Sequence, residues 1–339
     1  MKITIARLRS GTNYKEPLHD IMDSFYELYK RYMEKNPQHT YGVYNFGWGK
    51  RNRKILDDVW DSDVIIIPSE NEFQQHIKGY IDPRHKARSD EYVHKIGNAL
   101  SDKHIIILRS DRADNEELYR NKTFKDQPIG KFSILDEMDI PGGLHGMKYH
   151  FIKEIPKTLD EFTSAPKILY DFVYWGCDKK KTVENVDSGD QRHLVFKRIR
   201  KDKILTSFFI GKYANIERDM KINRMSHIIP YIKKGMATLC FNWIDQTATT
   251  SRYHEALGCG LLPFVWQDYD KNNTLVADKW QRVSSVEELY EKYEELKTAK
   301  GSLLGQKMMD VEEHYKSKLK TKDEYFEGFS EKLDKLLEV

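Results

Sequence analysis

TSRYHEALGCGLLPFVW, residues 250–266, changes its pattern halfway along. The first part reads as a helix and the last part, Leu261–Val265, as a strand, with Gly258-Cys259-Gly260 between them. A short continuous apolar run bounded by glycine suits a strand covered on both faces. Gly258 and Gly260 end the helix at little steric cost. Arg252 and Glu255 stand three residues apart, so they share one helix face. The ordinary reading of such a pair is a solvated surface contact. The other reading is a helix whose first turn grips a polar ligand.

The chain on either side repeats the alternation of helix and buried strand. In the second half, strands are predicted at Phe172–Tyr174, Thr206–Ile210, Ala237–Phe241 and Leu261–Val265, with helices at Gln191–Lys201, Ser226–Lys233 and Arg252–Leu257. Ser284-Ser285 then caps a long charged helix with an acidic start. In the first half, strands are predicted at Ile3–Ala6, Val64–Ile67 and Ile105–Leu108, with helices at Leu18–Glu34 and Glu91–Leu100. Pro156 and Pro166 flank a connecting stretch. The fold class is α/β: two Rossmann-like doubly wound domains facing a central cleft, residues 1–160 and 161–320. The segment 321–339 carries Tyr325, Phe326, Phe329, Leu333 and Leu336 at helical spacing and is expected to return to the first domain.

Composition bounds the function classes. The 339 residues have a net charge of +3, with 39% hydrophobic and 12% aromatic residues, enough for real cores. That charge is too small to imply nucleic acid by itself; only clustering can. Three cysteines, Cys177, Cys240 and Cys259, make no CxxC pair and a poor disulfide framework. No apolar run reaches the length of a membrane span, and the chain enters a strand directly from MKITIARLR. These features predict a reduced, cytoplasmic protein, and a monomer is expected.

Two places carry candidate chemistry in the second half. Strand Phe172–Tyr174 runs into Gly176-Cys177-Asp178-Lys179-Lys180-Lys181, and a helix opens near Gln191-Arg192. A strand-end glycine before a helix start, with cations nearby, suits a diphosphate. Neither GxGxxG nor GxxxxGK[ST] occurs. In the opening stretch, Thr249, Thr250 and Ser251 are candidate caps. Arg252 then lies in the first turn, where the helix dipole disfavours a cation. A bound anion removes that objection. Glu255, one turn on, offers two acceptor oxygens to a ribose diol.

RYHEALGCGLLPFVW resembles the donor-site helix and strand of GT-B glycosyltransferases, and of the T-even phage DNA glucosyltransferases in particular. Asp171-Phe172-Val173-Tyr174-Trp175-Gly176 followed by Gly189-Asp190-Gln191-Arg192 is similar to that family's strand, glycine turn and Gly-Gln-Arg phosphate segment. Ser207-Phe208-Phe209-Ile210-Gly211 resembles its next strand and Lys221-Ile222 its uracil-contacting loop. The resemblance implies that Arg252 and Arg192 contact a diphosphate, that Glu255 holds the ribose, and that Ile222 meets uracil through its backbone. It adds Gly176, Gly211 and Lys179 to the donor site. The family's arginine after the glycine turn is replaced here by Asp178 and then lysines.

The first domain is then expected to bring the acceptor. Strand Ile105–Leu108 leads into Arg109-Ser110-Asp111-Arg112, which resembles the family's turn bearing its general base, and that maps onto Asp111. A primary alcohol needs a carboxylate to take its proton. Helix capping is the competing role for Asp111, and Asp114 is its neighbour. Arg84, Lys86 and Arg88 in one loop, and Arg112, Arg120 and Lys122 in a second with interleaved aromatics, are the candidate DNA contacts. A third basic cluster runs over Trp48–Lys54.

With these features, the resemblance implies transfer of a sugar from a UDP-sugar, with UDP-glucose favoured, to 5-hydroxymethylcytosine in double-stranded DNA, with protection from host restriction. Arabinose as the sugar, or a cell-envelope glycan or small molecule as the acceptor, remain the alternatives. Mg2+ or Mn2+ is expected to accompany the donor without a dedicated protein site. Asp268-Tyr269-Asp270 has the form of a metal-binding DxD but is read as a surface turn. His145 and His150 lack metal-ligand company.

Overall fold

The computed structural model describes residues 1–9, 21–47, 61–67, 101–109, 130–136, 143–153, 168–177, 188–212, 218–220, 225–241, 249–276, 279–299 and 302–338. By its internal contacts the chain divides into two compact units, residues 1–144 with 321–339, and residues 145–320.

The first unit is built on five strands: β1 (Lys2–Arg9), β2 (Thr40–Gly47), β3 (Val64–Ile67), β4 (His104–Arg109) and β5 (Lys131–Asp136). Their order is β2-β1-β3-β4-β5, and every pairing is parallel. All four residues of β3 are buried, as a central parallel strand requires. Helix α1 (Ile21–Lys35) packs Phe25, Leu28, Tyr29 and Tyr32 inward, and Tyr29 Oη donates to the Ile3 carbonyl at 2.9 Å.

Two strands of this sheet escaped the sequence reading. β2, TYGVYNFG, carries two glycines and an asparagine, which break the apolar run. Gly42 is needed where it stands, because a Cβ there would lie 2.4 Å from Thr4 Oγ1 on β1. β5 is an edge strand with one paired side, and its residues are mostly half-buried. The predicted helix Glu91–Leu100 lies outside the described residues.

The second unit holds α2 (Gly143–Lys153), β6 (Tyr170–Cys177), α3 (Ser188–Asp202), β7 (Ser207–Lys212), α4 (Met225–Ile232), β8 (Gly235–Cys240), α5 (Ser251–Cys259), β9 (Leu262–Trp266), β10 (Arg282–Val283), α6 (Val286–Thr298) and α7 (Ser302–Lys318). Its sheet has the order β10-β9-β8-β6-β7, again all parallel. Alternate residues of β6 serve opposite faces. Phe172 and Tyr174 join the core with Phe196, Phe209, Phe264 and Tyr293. Val173 and Trp175 join a second core with Ile228, Ile229, Ile232 and Ile152. The predicted long charged helix is two helices, α6 capped by Ser285 and then α7.

The sequence put the domain boundary at 160, whereas contacts assign α2 to the second unit from His145 onward. The reason is packing. Ile152 is buried in the Val173–Trp175 core, and Lys148 pairs with Glu255. The last helix, α8 (Lys322–Leu337), belongs to the first unit. It opens with a capping box between Thr321 and Glu324. Phe329 meets Phe25 edge-on at 5.3 Å, and Tyr32 Oη donates to Asp334 at 2.5 Å. Among the described residues no helix is long and apolar enough to cross a membrane.

Candidate functional site

In the second sheet the chain steps from β6 outward to β7, then returns past β6 to build β8 on its other side. The connections leaving β6 and β8 therefore diverge, and a crevice opens at the carboxyl ends of those two strands. The described part of the candidate donor site converges there.

Two glycines prepare it. Gly176, the penultimate residue of β6, has φ +131°, and its register partner on β7, Gly211, has φ +133°. That backbone region favours glycine. A Cβ on Gly211 would lie 1.8 Å from the Gly176 carbonyl oxygen, and a Cβ on Gly176 would lie 2.5 Å from Arg252 Nη2. Gly176 is exposed, so bare backbone faces solvent beside an arginine.

Arg252 is in the first turn of α5. The N-cap of that helix is Thr250, with extended φ −98° and ψ 158°, but its side chain makes no capping bond. Instead the Thr250 N–H donates to Tyr269 Oη at 2.6 Å, so a buried tyrosine from beyond β9 takes up an orphan donor at the helix start. The Arg252 guanidinium lies 4.1 Å from the centre of the Tyr174 ring. Its Nη1 donates to Tyr174 Oη at 2.7 Å and its Nη2 to the Trp175 carbonyl. Stacking and two hydrogen bonds hold the cation in place.

Glu255, one turn on, is 4% exposed. Its Oε1 accepts from Lys148 Nζ at 2.8 Å and its Oε2 from Trp175 Nε1 at 2.6 Å. Burial pushes the carboxyl up. The Lys148 charge and hydrogen bond, the Trp175 indole and the Arg252 charge outweigh it and hold the pKa down at about 2. Glu255 is thus a buried, ionised carboxylate, not half of the surface pair suggested by its spacing from Arg252.

Arg192, in α3, is 8% exposed with its guanidinium 5.7 Å from the Phe241 ring centre. Cys240, at the end of β8, feels all three charges. Burial pushes its thiol up to about 12, Glu255 adds to this, and Arg252 and Arg192 oppose it. Gly176, Gly211, Arg192, Arg252 and Glu255 thus belong to one neighbourhood. Gly211 N–H also donates to the Met220 carbonyl at 2.9 Å, and Asp219 accepts from Arg200 at 2.5 Å and from the Phe209 N–H at 2.7 Å. That fastens residues 218–220 to β7.

Lys179, Ile222 and Asp111 lie outside the described residues, as do Arg84, Lys86, Arg88, Arg112, Arg120 and Lys122. Sequence reasoning missed Lys148, Tyr174 and Trp175 as site partners. Tyr174 and Trp175 were quoted only as strand residues, and Lys148 lies 107 positions from Glu255 in a helix with no distinguishing motif. The DxD is a turn. Asp270 accepts from the Thr274, Leu275 and Val276 N–H groups and from Thr274 Oγ1, and Asp268 pairs with Lys271 at 3.3 Å. His150 Nε2 bonds the Lys320 carbonyl at 2.9 Å. Among the described residues no group of three His, Cys, Asp or Glu side chains converges as a metal site.

No protein-family model matches the chain, and no curated protein sequence does. Solved structures do. A crystal structure of the DNA modifying enzyme beta-glucosyltransferase, with and without its substrate uridine diphosphoglucose, matches at TM-score 0.59 and 15% identity over 100% of both chains. T4 phage beta-glucosyltransferase with UDP and Mn2+ matches at TM-score 0.57 and 15% identity, over 98% of this chain and 99% of that one. A mutant of the T4 phage enzyme with UDP-glucose matches at 0.60, with the same identity and coverage. At the level of fold, the resemblance read from the sequence is borne out: two parallel α/β sheets matched along the full length give this chain the GT-B fold of T4 phage beta-glucosyltransferase.

Proposed function

We propose that the chain is a glycosyltransferase that binds a UDP-sugar, with UDP-glucose favoured, and transfers the sugar to 5-hydroxymethylcytosine in duplex DNA, protecting that DNA from host restriction. The observation that carries the reading is the crevice in which Gly176 leaves backbone bare beside the stacked Arg252, with ionised Glu255 one turn behind. Bare backbone beside an arginine suits a diphosphate. An ionised carboxylate suits the two hydroxyls of a ribose. The donor and DNA as the acceptor are carried over from beta-glucosyltransferase, a DNA modifying enzyme with uridine diphosphoglucose as substrate; 5-hydroxymethylcytosine as the modified base is what the sequence resemblance implies.

In the proposed reaction Asp111 takes the proton of the hydroxymethyl group as its oxygen attacks the sugar C1. The bond from C1 to the diphosphate oxygen breaks, and its electron pair leaves with UDP. Arg252, Arg192 and Lys179 offset the charge that develops there. Attack opposite the leaving group inverts the anomeric centre. Ile222 meets the uracil, and Arg84, Lys86, Arg88, Arg112, Arg120 and Lys122 neutralise DNA phosphates. Mg2+ or Mn2+ would accompany the diphosphate without a dedicated protein site and would supply further positive charge there.

The test is incubation with hydroxymethylcytosine duplexes and a panel of UDP-sugars, followed by digestion and nucleoside mass spectrometry. A mass gain of one hexose on the modified base is expected. No transfer from any UDP-sugar refutes the reading. Transfer to a glycan, with no DNA affinity at low salt, moves the acceptor to the cell envelope.

A further inference from the structure

We propose that Lys148 is a positioning residue of the donor site: its ion pair with Glu255 fixes that carboxylate in one orientation to receive the vicinal diol of a nucleoside diphosphate. The inference rests on reading the crevice as a nucleoside-diphosphate site. It adds a residue that does not itself touch the ligand.

The geometry begins with a helix contact. On α5, Glu255 and Gly258 are three residues apart and share a face; on α2, Lys148 and Ile152 are four apart and do the same. Lys148 Nζ reaches Glu255 Oε1 at 2.8 Å. A Cβ added to Gly258 would lie 3.0 Å from Ile152 Cβ. The two pairs are neighbouring contacts of one close helix–helix approach, and the missing side chain at Gly258 lets α2 come near enough for Lys148 to reach.

Burial makes the pair consequential. Lys148 is 8% exposed and Glu255 is 4% exposed. An uncompensated carboxylate at that depth would be neutralised rather than stay charged. The two oxygens are held by donors from different elements, Lys148 from α2 and Trp175 from β6. The carboxylate plane is therefore fixed from two directions. Each oxygen offers about two acceptor sites, and the Lys148 and Trp175 bonds use one on each, which leaves acceptor capacity matched to two adjacent hydroxyls. Among the described residues, the other titratable or charged groups that act on Glu255 are Arg252 on its own helix and the Cys240 thiol on β8, and Arg192 from α3 acts on Cys240. Of the surrounding charges, Lys148 does most to hold the carboxyl down.

The experiment measures binding of UDP and of 2′-deoxy-UDP to the full chain by calorimetry between about pH 5 and pH 8, a span well above the carboxyl's low pKa. Wild type is expected to prefer UDP, with no contribution from Glu255 to the pH dependence. In Lys148→Met the preference should fall by about tenfold, the scale of one hydrogen bond to a charged group. UDP binding should also begin to weaken as pH drops through the span, because the buried carboxyl without its cation titrates upward. If Lys148→Met does not fold, Lys148→Arg takes its place. It keeps the cation, so no acid limb appears, but it moves the donor nitrogen and lowers the UDP preference. A folded variant with the wild-type preference and pH profile overturns the proposal, since a purely structural lysine would change stability alone. Wild-type protein that binds no UDP removes the nucleotide reading itself.

Discussion

Gly176 and Arg252 share one space: the position a Cβ would take on the glycine lies 2.5 Å from Nη2 of the arginine. Strand β6 has to lack a side chain at its penultimate residue so that the guanidinium can reach the Trp175 carbonyl. The residue that bares the backbone is also the one that admits the cation. Gly176→Ala should therefore strain a backbone held at φ +131°, at about 1–3 kcal/mol, and lift Arg252 from its carbonyl. Chemical denaturation should show the stability loss, and calorimetry a loss of UDP affinity of about tenfold or more, the scale of one charged hydrogen bond.

Arg252→Lys keeps the charge and loses the geometry. A lysine cannot stack a planar fork on Tyr174 while donating to both Tyr174 Oη and the Trp175 carbonyl. kcat/KM for the UDP-sugar should fall by about ten- to a hundredfold, the scale of one or two charge-assisted hydrogen bonds. Unchanged kinetics would remove Arg252 from the donor site.

Glu255 links stability to pH. Its carboxyl is held at about 2 against an ordinary 4.5, so its contribution is fully present above 4.5 and lost as pH falls towards 2. The linked term is about 3 kcal/mol. Glu255→Gln should be destabilised at neutral pH by about 3–5 kcal/mol, because Lys148 stays buried without its counter-charge. The gap from wild type should narrow as pH drops below 4.5. Urea unfolding between neutral pH and pH 3 measures it, and a gap independent of pH would contradict the assignment.

Asp111→Asn should leave UDP binding intact and lower transfer by about a hundred- to ten-thousandfold, the usual contribution of a general base. Calorimetry and a transfer assay on the same preparation separate the two. Full transfer by the variant would return Asp111 to helix capping.

The sequence made parts of this molecule legible for physical reasons. β3, β8 and β9 are buried throughout, so their apolar runs stand out. The helix at the opening stretch ends at Gly260, φ +77°, as its Gly-Cys-Gly punctuation suggests. β2 stayed hidden because Gly42 serves a close approach and weakens the strand pattern. Lys148 stayed hidden because a long-range ion pair has no local spacing. Arg252 and Glu255 were found by their i, i+3 relation, yet Glu255 turns to a lysine on another helix and an indole on a strand. Sequence spacing brought the two residues to notice; tertiary packing chose their partners.

The closing helix of the first unit carries a consequence for biosynthesis. Tyr32 and Asp334 are 302 positions apart and bonded, and Phe25 needs Phe329 as its core neighbour. A ribosome releases the chain from its N-terminal end. Every residue of the second unit has therefore emerged before the first can close over its own core. The unit that starts first finishes last, and meanwhile the part of α1 that carries Phe25 and Tyr32 waits for α8.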